Sequence, residues 1–208
     1  MSKKSVAGSI GLVAYLLCGL WLFTPDYDEV PEGFKLSGKG RLLWNESTQT
    51  LTVIQKSKGV LTITAPVIPN IVRRSKVPGN SLILKITNGM PTSFAGKLTA
   101  SGGVMIINPN GFLMGEGAIF DVSGAVTLST LDVDHNDFLN GVDNRFRGSS
   151  GVTNFGTIHS IEGETILLGN FVESDRGVAM GAGGDIIVID KPEKTTAFEF
   201  KGIEPVKK

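Results

Sequence analysis

Gly103-Val-Met-Ile-Ile107 is followed 21 residues later by a similar stretch, Gly124-Ala-Val-Thr-Leu128. The same spacing places Leu82-Ile-Leu-Lys-Ile86 before the first stretch and separates Gly163-Glu-Thr-Ile-Leu-Leu168 from Gly184-Asp-Ile-Ile-Val-Ile189. Repeats of about 20 to 50 residues are typical of stacked architectures. Two further pairs share the 21-residue spacing: Gly96-Lys-Leu-Thr-Ala100 with Gly117-Ala-Ile-Phe-Asp121, and Asn154-Phe-Gly156 with Asp175-Arg-Gly177.

Each repeat contains short runs of β-branched and aliphatic residues between glycine and asparagine, which are typical corner residues. This pattern predicts an all-β protein, a parallel β-helix with one coil per repeat of about 21 residues. Strands of successive coils would lie about 4.8 Å apart and bury one continuous core. Residues from Lys35 to Ile189 would form roughly seven coils. A β-sandwich also has short, regularly spaced strands, but it gives no reason for a fixed interval between glycine-led blocks.

The composition supports a folded chain of neutral charge. Of its 208 residues, 27 are glycine and 41% are hydrophobic, which argues against disorder. Twenty basic residues balance twenty acidic ones, so the basic surface expected of a nucleic-acid binder is not indicated. Cys18 is the single cysteine, which excludes an internal disulfide and a CxxC site.

The first 24 residues predict export. Lys3 and Lys4 precede an uncharged run from Ser5 to Thr24, which is typical of a secretory signal or an uncleaved membrane anchor. A buried helix of a globular core is disfavoured because three glycines interrupt the run and it has no polar face. Lipidation of Cys18 is disfavoured because Leu17 occupies a position where a lipoprotein signal has a small residue. We therefore expect residues 1–24 to be a signal peptide or anchor and residues 191–208 to be a charged tail.

A set of ordered motifs resembles one known family. The motifs lie within residues 33–190 and are centred on the turn Asn108-Pro109-Asn110-Gly111. They resemble the amino-terminal domain of filamentous haemagglutinin-type exoproteins, the two-partner secretion domain of bacteria. The motifs around the turn are Leu51-Thr-Val-Ile-Gln55, Leu84-Lys-Ile-Thr-Asn-Gly-Met-Pro-Thr-Ser-Phe-Ala-Gly96, Gly115-Glu-Gly-Ala-Ile-Phe-Asp-Val122, Leu128-Ser-Thr-Leu-Asp132, Asp137-Phe-Leu-Asn-Gly141 and Val152-Thr-Asn-Phe-Gly-Thr-Ile158.

This resemblance implies a right-handed parallel β-helix that is exported and then recognised by a dedicated outer-membrane transporter. It also implies a role in adhesion, with host or cell-surface receptors as further partners, and no cofactor. The expected locations are the medium or the cell surface, or else the inner membrane with the domain facing the periplasm.

Asn108, Pro109, Asn110 and Gly111 are the candidate site residues. Pro109 fixes its own backbone angle, and Asn110-Gly111 completes a rigid turn. The asparagine amides can bond to backbone groups left unpaired at a corner. Two interpretations stay open: the transporter reads this turn, or the turn is a purely structural corner.

Metal sites are disfavoured by the spacing of the available ligands. The stretch from Asp132 to Asp143 begins like a calcium loop, but Asp137 stands where glycine is needed and Asp143 where a bidentate glutamate belongs. His135 and His159 have no partner at zinc-ligand spacing. We expect no metal.

A carbohydrate-active enzyme on the same scaffold is the alternative function. Such an enzyme needs clustered carboxylates or a basic residue on one outer face. One candidate cluster has this composition: Asp132, Asp134 and Asp137 with Arg145 and Arg147. We expect no enzyme, because no other set of catalytic residue types is identifiable.

Overall fold

The computed structural model describes residues 27–77, 81–132, 136, 145–146, 150–169, 172–174, 178–181, 186–190 and 198–199. The predicted segment 1–24 and nearly all of the predicted tail lie outside these ranges. The strands are β1 (Phe34–Asn45), β2 (Thr50–Ile63), β3 (Asn70–Ser75), β4 (Leu82–Ile86), β5 (Thr92–Phe94), β6 (Lys97–Ala100), β7 (Val104–Ile107), β8 (Phe112–Met114), β9 (Ile119–Val122), β10 (Val126–Ser129), β11 (Arg145–Phe146), β12 (Val152–Asn154), β13 (Thr157–Ser160), β14 (Thr165–Gly169), β15 (Val172–Glu173), β16 (Val178–Gly181), β17 (Ile186–Asp190) and β18 (Phe198–Glu199).

These strands form an all-β fold dominated by parallel pairing, which confirms the predicted fold class at that level. The large sheet has the order β16-β13-β9-β6-β3-β2-β4-β7-β10-β14-β17, and a second sheet has the order β15-β12-β8-β5. Strands that follow one another in the chain lie on different strips, and each pairs with a strand about one repeat away. Two antiparallel pairs, β1 with β2 and β11 with β18, are the exceptions among the described strands.

The long strand β2 joins the two arms of the large sheet. Its first half, Thr50–Gln55, pairs with β3, and its second half, Gly59–Ile63, pairs with β4. Strand β1 covers both halves in antiparallel orientation, with a register shift between Gly38 and Gly40 where β2 passes from one arm to the other. The first of the seven predicted coils is therefore an antiparallel cap, and the parallel layers begin at β2.

The predicted 21-residue register needs correction in four of its five pairs. Val104 lies beside Val126, and Lys97 beside Ile119, so these strands are spaced by 22 residues. Leu82 likewise pairs with Val104 and not with Gly103. In the second sheet the spacing is 20, as in Val152 with Val172. The pairing of β14 with β17 does follow the 21-residue spacing.

Unequal turns explain these differences. From β4 to β5 the chain uses seven residues between Lys85 and Thr92, whereas the next layer uses five between the equivalent residues Ile107 and Phe112. The following turn is longer by the same two residues, so the coil length is restored. The period of the coil is therefore close to the predicted value, while individual strips run ahead of it or behind it.

The core lies between the strips. Inward side chains of equivalent strands are stacked, as in Leu98, Phe120 and Ile158, which are essentially inaccessible. The Phe94 and Phe120 rings meet edge to face with centroids 5.2 Å apart. Packing of this kind fills the interior. An apolar gap beside Phe94 has a volume of about 10 Å³, which leaves no room for a ligand.

None of the helices within the described ranges combines the length and the apolar character that crossing a membrane requires.

Candidate functional site

The four candidate residues form a tight turn between β7 and β8. The Gly111 amide donates to the Asn108 carbonyl at 3.1 Å, which closes a four-residue β-turn. Asparagine at the first position, proline at the second and glycine at the fourth are the preferred residues of a type I turn. Gly111 has a φ of 120°, a value that side-chain-bearing residues rarely adopt. Each residue type in the motif therefore has a backbone reason for its position.

The Asn108 side chain is completely buried and bonds the turn to the preceding layer. Its Nδ2 donates to the Met90 carbonyl at 3.0 Å and to Thr92 Oγ1 at 2.9 Å. Its Oδ1 accepts from the Asn110 amide at 3.0 Å. Its backbone amide donates to the Ser129 carbonyl in the next layer at 2.9 Å. Asn108 thus links three successive layers, and its side chain is not accessible to a partner.

The outer side of the turn is formed by Pro109 and Asn110. Pro109 is half-buried and Asn110 is exposed. The exposed Met90, with 51% of its surface accessible, follows the preceding layer at the same corner. The candidate site therefore has two parts: Asn108 supports the turn from inside, while Pro109 and Asn110 face the solvent.

Other asparagines repeat the support that Asn108 provides. Asn154 Nδ2 donates to Ser174 Oγ at 3.2 Å while its Oδ1 accepts from the Gly156 amide at 3.1 Å. Asn70 Nδ2 donates to the Thr48 carbonyl at 3.2 Å, and its Oδ1 accepts from the Lys97 amide at 2.8 Å. Asparagine side chains therefore bridge adjacent layers at several corners. The bridging by Asn108 is a structural feature of the stack and does not by itself mark a binding site.

A buried arginine is a second structural polar group, which the sequence analysis did not single out. Arg73 on β3 is 2% exposed, and its Nε donates to Gln55 Oε1 at 2.7 Å. Its guanidinium also donates to the Ser101 carbonyl in the following layer. Burial lowers the pKa of the Arg73 guanidinium, because removing the cation from water disfavours its charged form. Arg73 thus bonds the first layers together at one corner.

The acidic stretch after β10 is described in part. Asp132 forms an ion pair with Lys85 at 2.8 Å between its Oδ1 and the lysine Nζ. Asp134, Asp137, Asp143, His135 and Arg147 lie outside the described residues, as does the side chain of Arg145. His159 lies half-buried on β13. Within the described ranges, no three histidine, cysteine or acidic side chains come together in a way that could hold a metal ion.

No family model matches this chain. No curated protein matches it either. The resemblance described above therefore rests on the quoted motifs, and the roles it implies remain predictions.

Proposed function

We propose that this chain is an exported secretion domain of the two-partner type, folded as a right-handed parallel β-helix. An outer-membrane transporter recognises it, and its surface contributes to adhesion. The parallel strips, with one strand of each strip per repeat, support the β-helix. The right hand follows from the general rule that connections between parallel strands of one sheet are right-handed in nearly all proteins.

One observation carries the recognition role. The Asn-Pro-Asn-Gly turn is fixed from inside by the buried Asn108 amide, and it presents Pro109 and Asn110 outward. A rigid, exposed turn loses little conformational entropy when a partner binds it, which favours its use as a recognition element. The proposed function is that of a binding domain without a catalytic step, metal or cofactor.

Residues 1–24 provide the export signal in this proposal, either as a cleaved signal peptide or as a retained anchor. In the cleaved form the domain reaches the cell surface or the medium. In the retained form it stays at the inner membrane and faces the periplasm. Cell fractionation together with the amino-terminal residue of the purified product distinguishes the two forms.

The recognition role is tested by binding of the full chain to the periplasmic domains of a cognate transporter. Asn110→Arg changes the exposed side of the turn and leaves Asn108 in place. Ala125→Arg is the matched control, since Ala125 is also exposed but lies at a different corner. We expect Asn110→Arg to raise the dissociation constant about tenfold or more, as for a residue near the centre of an interface. Equal affinities of the two variants would refute the recognition role.

A further inference from the structure

The net charge of zero conceals a strong separation of charge along the stack. Residues 33–100 contain ten lysines and arginines and one acidic residue, Glu46, a net charge of +9. Residues 101–190 contain three arginines and twelve acidic residues, a net charge of −9. Because the layers follow chain order, the capped end of the stack is positive and the other end is negative. The charge therefore has a direction that overall composition does not reveal.

Six exposed cations of the positive half lie at one corner of the stack. This corner is where β1 and β2 pass from one arm of the large sheet to the other and where β3 ends. Arg41 and Arg74 lie on either side of Ile54 in neighbouring strands, so their backbones are about 10 Å apart. We call this set the basic corner; its members are Lys39, Arg41, Lys56, Lys58, Arg74 and Lys76.

The same corner changes character along the stack. In the next two layers it consists of Ser101-Gly102 and Ser123-Gly124, which a hydrogen bond of 2.6 Å from the Gly102 amide to Ser123 Oγ holds together. Beyond them it carries Glu162 and Glu164. A flat anionic surface would therefore attract the first layers at this corner and repel the later ones. The charge pattern defines an orientation as well as an attraction.

The basic corner belongs to the end of the stack that is nearest in sequence to the apolar run Ser5–Thr24. Asp28 forms a bridge to Trp44 of β1 and lies four residues after Thr24, so it is at most about 14 Å from the end of the run. Electrostatic attraction at physiological salt acts over about 8 Å. An anchor formed by this run would hold the cap, and no other part of the stack, close to lipid headgroups.

Four acidic residues lie between the apolar run and β1, and they do not reverse this balance. Asp28 Oδ2 accepts from the Glu46 amide at 2.7 Å, at the hairpin end of β1 and away from the basic corner. With the other three and the two leader lysines included, residues 1–100 retain a net charge of +7. The remaining three are Asp26, Glu29 and Glu32.

We propose that the basic corner binds anionic phospholipid headgroups of the membrane that holds residues 5–24. The contact keeps the capped end of the stack on the membrane and directs the acidic end away from it. This inference rests on the anchored form of the proposed function. Each cation close to an anionic membrane strengthens binding about fivefold, so several together determine the orientation of a tethered domain.

The test uses the full chain reconstituted in vesicles of phosphatidylcholine with or without phosphatidylglycerol. A membrane-impermeant amine reagent labels exposed lysines, and mass spectrometry compares Lys39, Lys56 and Lys58 with Lys35 and Lys97. The last two are also exposed cations of the positive half but lie away from the basic corner. We expect the corner lysines to react about fivefold more slowly than the controls in anionic vesicles. The difference should disappear in phosphatidylcholine alone and at about 1 M salt, where screening acts within about 3 Å.

Charge variants provide the second arm of the test. Lys56→Gln with Lys58→Gln should restore the labelling of Lys39 in anionic vesicles. The matched pair Lys35→Gln with Lys97→Gln, which removes the same charge elsewhere, should leave Lys39 protected. Equal labelling of corner and control lysines in anionic vesicles would overturn the inference. The amino-terminal residue of the product from cells is determined in parallel: a cleaved leader contradicts the anchored form, whereas a retained leader without lysine protection contradicts the membrane contact alone.

Discussion

Replacing Asn108 with alanine should destabilise the fold, while replacing its exposed neighbour Asn110 should not. Asn108→Ala removes the bonds donated to Met90 and Thr92, each worth about 1 kcal/mol. It also leaves Thr92 Oγ1, which is buried, without this donor, at a cost of about 1 kcal/mol more. The expected loss in the free energy of unfolding is therefore about 3 kcal/mol. Asn110→Ala removes one exposed side-chain bond of 3.3 Å and should cost about 0.5 kcal/mol or less.

Urea unfolding followed by far-UV circular dichroism measures this difference. The two variants should have the same dependence on denaturant as the parent, with a clear shift of the midpoint for Asn108→Ala alone. Asn108→Asp is a useful third variant, because it keeps the acceptor at Oδ1 but loses both donated bonds and buries a charge. It should be at least as unstable as Asn108→Ala at neutral pH. The reasoning is refuted if the Asn108 and Asn110 alanine variants differ by less than about 1 kcal/mol.

Two further predictions concern contacts between layers. In Gly124→Ala the new Cβ would lie 2.5 Å from the Gly103 nitrogen, so we expect a loss of about 2 kcal/mol or more in thermal unfolding, whereas Gly117→Ala has no atom nearer than 4.0 Å and should cost about 0.5 kcal/mol or less. Similar losses in the two variants would contradict the close approach of these layers. Gln55→Leu removes the acceptor of Arg73 Nε and should cost about 3 kcal/mol, of which Arg73→Met in the same chain should recover a substantial part, because a buried cation is then no longer left without that partner. A double variant as unstable as Gln55→Leu alone would count against this role of Arg73.

The fold class could be predicted from the sequence because the stacked architecture repeats its apolar blocks. The exact register could not. Strand β10 is buried at all four positions and β14 at all five, so these strands lack the alternation of polar and apolar residues that identifies the inward face. The glycines used to align repeats lie at corners, where turn length varies by two residues between layers. An alignment on corner glycines therefore shifts the strands by one position.

The turn at the candidate site could also be predicted, since its residue types match a type I turn. The division of labour within it could not. Sequence alone gives Asn108 and Asn110 the same chemistry, and it is the path of the preceding layer that buries one and exposes the other. Arg73 was missed for a related reason: an arginine in a polar stretch is expected at the surface, and its partners Gln55 and Ser101 lie 18 and 28 residues away.

The stack of parallel layers itself is tested most directly by cysteine cross-linking along one outward column. Thr99, Asp121 and His159 are neighbours in successive layers and are half-buried, although the last two are 38 residues apart. Their backbones lie about 4.8 Å apart, within the range a disulfide can bridge. In a Cys18→Ser background, Thr99→Cys with Asp121→Cys and Asp121→Cys with His159→Cys should both oxidise readily. Thr99→Cys with His159→Cys, two layers apart, should not. Failure of the two neighbouring pairs, or equal oxidation of all three, would contradict the fold on which the proposed function rests.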